Sequence, residues 1–296
     1  MQFRKFGCIM TWVREEYKFS LLERFLTNLL KSGSVPRHVA FIMDGNRRFA
    51  RQQNMEKIKG HSEGFERLAD TLQWCRYLGI TTVTVYAFRF LNFYKMLKNI
   101  RLLISEEEKL KQHGVRVKII GNMSYLPDDI QQLIAQAEQI TELNSGSTLN
   151  VAFSYTAREE ITQAVRRAVN KVQTSQIQSQ DIDEKLIDGL LYTTPGDKVD
   201  LLVRTSGECR LSDFLLWQTS SSITYFTQVL WPEFDFWHLL AAVFYYQRNM
   251  FIMNSLLSST SSNKQLCSST RSRSSSREAL QDAETRFTDA MEQICS

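Results

Sequence analysis

His38-Val39-Ala40-Phe41-Ile42-Met43-Asp44-Gly45-Asn46-Arg47-Arg48 passes within a few residues from an apolar run to an acid, a glycine and two arginines. An unbroken run, rather than an alternating one, suits a strand covered on both faces, and such strands belong to parallel sheets flanked by helices. Asp44 then stands at the carboxyl end of a strand, where open α/β sheets bind their ligands. An aspartate there can take Mg²⁺, which keeps several waters and prefers one or two carboxylates plus ligand phosphate oxygens. Gly45 lets backbone N–H groups approach a phosphate, and Arg48 can grip one with both prongs of its fork. The same residues also make an ordinary turn with surface arginines, and spacing alone leaves both readings open.

Outward from this stretch the pattern repeats. Short β-rich runs at 38–43, 81–88, 115–121, 148–155, 201–204 and 223–227 alternate with helical stretches near 61–78, 92–113, 127–141, 157–173, 181–191 and 235–253. Strand–helix alternation with long crossovers predicts an α/β domain over 35–254 with a largely parallel central sheet flanked by helices. Before it, 1–34 forms an extension in which 11–31 reads as an amphipathic helix. Ser20 and Glu23 have capping-box spacing there, and Leu21, Leu22, Phe25, Leu26 and Leu29 recur at helical intervals. Trp12, Tyr17 and Phe19 make this segment aromatic, so it either packs on its own domain or lies on a membrane surface or partner. After the domain, 255–296 opens with a Ser-rich stretch whose basic residues have no acid among them, which predicts a disordered tail.

Composition narrows the function classes. With 12 Gly and 4 Pro in 296 residues, the chain is neither collagen-like nor Pro/Gly-rich disorder. Five scattered Cys without Cys-x-x-Cys spacing argue against a zinc site or a disulfide framework. No run is long and apolar enough for a transmembrane helix. The net charge of +4 is too mild to mark a nucleic-acid binder, and no nucleic-acid partner is expected. Residues 1–60 nevertheless hold twelve Lys/Arg against five Asp/Glu, which suits an anionic ligand or surface. Neither the dinucleotide glycine fingerprint nor the P-loop motif is present.

Two further segments carry chemistry. Lys57, Gly60 and His61 precede an apolar helical pattern, so a Gly-His pair is expected at a helix N-terminus with free N–H groups and an imidazole for an anion. Later, Asp200-Leu201-Leu202-Val203-Arg204-Thr205-Ser206-Gly207-Glu208-Cys209-Arg210-Leu211-Ser212 ends a strand in Arg204 and sets Arg210 and Ser212 around a glycine turn. Two arginines and a hydroxyl can hold a second diphosphate without metal.

Taken together, these strings, with Trp231-Pro232 after them, resemble the cis-prenyltransferases, the undecaprenyl diphosphate synthase-like family, and within it the eukaryotic dehydrodolichyl catalytic subunits. The resemblance implies a polyprenyl diphosphate synthase that adds isopentenyl diphosphate in cis to farnesyl diphosphate for dolichol synthesis and protein glycosylation. It implies Asp44 as the Mg²⁺ ligand, acting with Asn46 and His61 on the reacting allylic diphosphate. Gly45, Arg47, Arg48, Lys57, His61 and Asn92 complete the binding of that diphosphate, and Arg204, Arg210 and Ser212 take isopentenyl diphosphate. It further implies peripheral attachment to the cytoplasmic face of the endoplasmic reticulum membrane.

Three departures from the family pattern stand out. Ile223 occupies the position where bacterial homodimeric members carry a metal-linked glutamate. Eukaryotic catalytic subunits also lack it and draw on an Arg-x-Gly terminus of a Nogo-B receptor-like accessory subunit, so a heteromer is implied. The family's Ser-x-Glu-Asn-aromatic-x-Arg motif reads Arg89-Phe90-Leu91-Asn92-Phe93-Tyr94-Lys95, matching only at Asn92 and Phe93. The helix that follows is shorter than in relatives by about three turns at 3.6 residues each. These changes leave room for an alternative, a non-catalytic scaffold with turnover lost through 89–105.

Overall fold

The computed structural model describes residues 12, 19–86, 93–194 and 198–269, without the side chains of 57, 58, 93–96, 98, 99 and 253–269. Asn92, Tyr17, the substituted positions Arg89 and Leu91, and 270–296 lie outside the described residues. The backbone divides into two units, 1–249 and 250–296.

The first unit is built on six parallel strands: β1 (His38–Ile42), β2 (Thr82–Tyr86), β3 (Val115–Ile120), β4 (Ser147–Ala152), β5 (Leu201–Arg204) and β6 (Ile223–Phe226), in the order β3-β4-β2-β1-β5-β6. The helices are α1 (Leu21–Lys31), α2 (Asn46–Gln52), α3 (Lys57–Leu78), α4 (Phe93–Ser105), α5 (Glu107–Gln112), α6 (Asp128–Thr141), α7 (Ala157–Gln173), α8 (Glu184–Asp188) and α9 (Phe236–Ser269). Every residue of β1 and β5 is buried, as continuous apolar runs require when helices cover both faces. Ala40 and Ile42 face one layer with Tyr86, Leu202 and Phe214. On the other side, Phe41 packs against Trp231 and Phe234.

β1 neighbours β2 on one side and β5 on the other, with Ile42 paired to Arg204. The chain therefore leaves two adjacent strands at the same edge of the sheet, and the residues that follow, 43–48 and 205–213, open on one crevice.

Three expectations change. Of the helix expected over 11–31, the described part is α1 from Leu21, because Ser20 is extended (φ −65°, ψ 162°) and its hydroxyl accepts from Glu23 N while the Glu23 carboxylate accepts from Ser20 N; 11 and 13–18 lie outside the described residues. The helical stretch at 92–113 is two helices. Glu106 separates them, its N–H shared between the carbonyls of Leu102 and Leu103. The short α2 was not foreseen; its seven residues carry no apolar period. Of the tail expected to be disordered, 270–296 lie outside the described residues.

α1 turns its polar side inward. Glu23, Thr27 and Leu30 are buried, whereas Leu21, Leu22, Phe25 and Leu29 are 57–85% exposed. Gln247 of α9 donates to Leu30 O at 2.6 Å, and Lys31 lies 4.8 Å from the Tyr77 ring centre, so the helix is anchored by its C-terminal end. Among the described residues no helix is long and apolar enough to cross a membrane.

Candidate active site

Asp44 is held before its side chain is considered. Its N–H donates to Thr205 Oγ1 (3.0 Å), and its carbonyl accepts from Thr205 Oγ1 (2.7 Å) and Trp231 N (3.0 Å). Gly45, at φ +106°, turns the chain into α2, and a Cβ there would meet Leu230 at 2.9 Å. The Asp44 carboxylate accepts from Gly45 N (2.8 Å) and pairs with Arg204 Nη2 (3.1 Å), yet remains 42% exposed.

Arg204 is the buried charge of the site, its side chain 3% exposed. Its Nη1 donates to Ser212 Oγ (2.8 Å) and to Arg210 O, while Nε is buried without a partner among the described residues. Burying a guanidinium is costly unless its donors are satisfied, and here one carboxylate, one hydroxyl and one carbonyl do most of that. Arg48 donates to Ser206 Oγ and lies 3.6 Å from Glu208, which also pairs with Arg210. Tyr86, at the end of β2, donates to Ser212 O (3.2 Å). Burial pushes its phenol well above the ordinary range, the Asp213 charge adds to this and Arg204 opposes it, so the hydroxyl stays a donor.

These residues line a cleft of about 780 Å³ that brings together Asp44, Gly45, Asn46, Arg47, Arg48, His61, Arg204, Arg210 and Ser212. Arg51, Arg158 and Asp213 also line it and were not singled out from sequence. Lys57 opens α3, its side chain outside the described residues, and Asn92 lies outside them altogether.

Two expectations need correction here. α3 starts at Lys57, so Gly60 and His61 sit inside it, and the Gly60 N–H is already spent on Glu56 O. The imidazole, not the helix terminus, reaches the cleft. Gly60 instead permits close packing: a Cβ there would come 2.6 Å from Asn46 O and 2.7 Å from Ala50 Cβ, and one at Gly64 would come 2.1 Å from Asn46 Oδ1. Ile223, in turn, is buried at the first position of β6, level with Leu201 and three residues short of the Arg204–Phe226 pair. At about 3.3 Å per residue this is the far end of the strand from the cleft, so a carboxylate at 223 could not complete the Asp44 site of its own chain.

Beyond the cleft, α3 continues past an apolar cavity of about 60 Å³ between β2, β3 and β4 and helices α3 to α5. Trp12 lines that cavity and also packs edge-on against Phe65 of the cleft at 4.8 Å. The Trp12 backbone N–H donates to the Glu106 carboxylate (2.7 Å).

The undecaprenyl diphosphate synthase model of the prenyltransferases matches residues 42–251, from the end of β1 through most of the domain. The chain belongs to the cis-prenyltransferase family. It is therefore a transferase, and its parallel six-stranded sheet is that family's fold. The chain is 47% identical over 251 residues to the human dehydrodolichyl diphosphate synthase complex subunit DHDDS, covering 81% of this chain and 75% of that one. A tritrans,polycis-undecaprenyl-diphosphate synthase of Archaeoglobus fulgidus is 40% identical, over 75% of this cis-prenyltransferase and 93% of the archaeal protein. Lavandulyl diphosphate synthase from Lavandula x intermedia, solved with dimethylallyl diphosphate, superposes with a TM-score of 0.65 at 31% identity, over 72% of this chain and 95% of the plant enzyme.

Proposed function

We propose that this cis-prenyltransferase is the catalytic subunit of a dehydrodolichyl-type polyprenyl diphosphate synthase, adding isopentenyl diphosphate to farnesyl diphosphate. The observation that carries this reading is the Asp44–Arg204–Ser212 chain of contacts at the paired ends of β1 and β5, inside one cationic cleft. Arg47, Arg48 and His61 line the Asp44 side and take the allylic diphosphate; Arg204, Arg210 and Ser212 take isopentenyl diphosphate. As the allylic C–O bond ionises, negative charge grows on the departing diphosphate, and preplaced cations meet it without reorganising. The isopentenyl alkene attacks the allylic carbon, and loss of a proton leaves the cis double bond.

The donor set fits Mg²⁺. Among the described residues no three of His, Cys, Asp and Glu gather, but a half-exposed Asp44 facing a diphosphate cleft is what an ion completed by waters and phosphate oxygens needs. Asp44 would hold the ion, which when bound neutralises diphosphate charge. Asn46 positions this corner: its Nδ2 donates to Met43 O at 3.3 Å and its backbone begins α2.

The human relative is named as a complex subunit. We carry this over as a heteromer with a Nogo-B receptor-like accessory subunit. The direct test is incubation of farnesyl and isopentenyl diphosphates with Mg²⁺, with and without that subunit, reading products by mass spectrometry.

The outward Leu21, Leu22, Phe25 and Leu29 stripe, flanked by Arg24 and Lys31, supports peripheral attachment to the cytoplasmic face of the endoplasmic reticulum membrane. Each buried side chain of this size contributes roughly 1.5–3 kcal/mol. Leu22→Glu with Phe25→Glu is expected to lower binding to anionic lipid vesicles at least tenfold in co-sedimentation while turnover in detergent stays within twofold. Unchanged sedimentation would remove the membrane assignment.

Product length is the other expectation placed here. The apolar cavity is small, and Trp12 stands between it and the cleft. At roughly 0.8 kcal/mol per buried CH₂, a growing chain gains little beyond that point. Trp12→Ala, or replacement of 89–105 by a full-length family segment carrying Ser-x-Glu-Asn-Phe-x-Arg, is expected to lengthen products by one or more isoprene units. Identical product distributions for wild type and both variants would show that neither sets chain length.

A further inference from the structure

We propose that Asp213 is a positioning residue for isopentenyl diphosphate: it caps helix α7 and thereby holds Ser212 and Arg210 in register with Arg204. The inference rests on the reading of the cleft given above.

The first N–H groups of a helix have no partner within it. In α7, Thr156 supplies two acceptors, its Oγ1 for Glu159 N (3.3 Å) and its carbonyl for Glu160 N (3.0 Å). The remaining two N–H groups are met from across the fold. Asp213 O accepts from Ala157 N at 2.8 Å, and Asp213 Oδ1 accepts from Arg158 N at 3.2 Å. Asp213 Oδ2 also takes the Arg158 Nε at 2.9 Å. A carboxylate at this end is further favoured by the helix dipole. One residue is thus tied three times to the first turn of a helix 55 positions earlier in the chain.

What the tie holds is an uncommon backbone. Ser212 (φ +52°) and Asp213 (φ +61°) are consecutive non-glycine residues in the left-handed region, and Leu215 follows at φ +47°. Such conformations persist only where their surroundings fix them, and they gather at ligand sites. Here the turn sets two acceptors of Arg204, the Ser212 hydroxyl and the Arg210 carbonyl, and presents Ser212 O to Tyr86. Released from α7, the turn would relax toward right-handed values, and the hydroxyl and the Arg210 side chain would leave the positions in which they face Arg204.

The exposed Arg158 guanidinium (84% exposed) is the lesser part of the device, since surface ion pairs contribute little. This gives a graded test on the full-length chain with its accessory subunit, reading isopentenyl diphosphate and farnesyl diphosphate binding separately by calorimetry, with circular dichroism melts alongside. Asp213→Ala is expected to weaken isopentenyl diphosphate at least tenfold and to raise its KM likewise. Farnesyl diphosphate affinity and kcat at saturation stay within threefold. Arg158→Ala, which leaves both backbone bonds, is expected to change the same constant less than threefold. Should Asp213→Ala fail to fold, Asp213→Asn carries the test, with three- to fivefold weakening for isopentenyl diphosphate alone. Wild-type binding of isopentenyl diphosphate that Asp213 variants leave unchanged, or weaken equally with farnesyl diphosphate, overturns the positioning role while the reading of the cleft stands. If wild type does not bind isopentenyl diphosphate, the reading of the cleft falls and this role with it.

Discussion

Asp44→Ala is expected to lower kcat about a thousandfold, corresponding to ~4 kcal/mol of lost transition-state charge stabilisation. The fold should survive. The Asp44 backbone keeps its bonds to Thr205 and Trp231, and Arg204 keeps Ser212 Oγ and the Arg210 carbonyl. Removing one partner of a fully buried ion pair costs roughly 3–5 kcal/mol, but Asp44 is 42% exposed and solvent discounts that figure. A modest fall in Tm with both substrates still bound is the expected signature. Asp44→Asn, which retains an acceptor for Gly45 N, should be as inactive and more stable. Turnover of Asp44→Ala within threefold of wild type would remove Asp44 from the chemistry.

Arg204 and Arg210 give the second large effect. A hydrogen bond to a charged group contributes roughly 1.5–3 kcal/mol, so losing one raises KM about 10- to 150-fold. Arg210 is largely exposed and pairs with Glu208, so Arg210→Ala should raise the KM for isopentenyl diphosphate near the lower figure and leave farnesyl diphosphate within threefold. Arg204 is buried and also touches Asp44, so Arg204→Ala should raise the isopentenyl diphosphate KM toward the upper figure and reduce kcat as well. Arg204→Lys should rescue little, because one ammonium cannot span Asp44, Ser212 Oγ and the Arg210 carbonyl together. Steady-state kinetics with each substrate varied in turn checks this, and equal KM changes for both substrates would refute the division of the cleft.

How much of this could be read before the structure depended on whether the signal was local. β5 and α7 fall on the expected residues, because a four-residue apolar run and a 3.6-residue period report their own burial. Asp44, Arg204 and Ser212 could be singled out because Arg204 ends a strand and the other two lie in the segments that leave strand ends. The tie between Asp213 and α7 was not, since partners 55 residues apart leave no periodic mark. Buried Glu160 was missed for the same reason: its carboxylate accepts from Tyr155 OH, Gln218 Nε2 and the N–H groups of Tyr192 and Thr193, joining four segments without any cation in the set. Ile223 shows the opposite error. The family resemblance placed it at a metal-linked position, but a matched position does not say which end of a strand a residue occupies, and register puts it at the end away from the cleft.

The central claim is that the Asp44–Arg204–Ser212 cleft condenses isopentenyl diphosphate with an allylic diphosphate. The most direct measurement is mass spectrometry of the products formed from farnesyl and isopentenyl diphosphates with Mg²⁺ by the full chain and its accessory subunit, with Asp44→Ala beside it. The account predicts cis-polyprenyl diphosphates longer than farnesyl from the wild-type complex, far less from the chain alone, and none from Asp44→Ala. Wild-type complex that binds both diphosphates and forms no elongated product would contradict it, leaving the cleft a binding site on a non-catalytic scaffold.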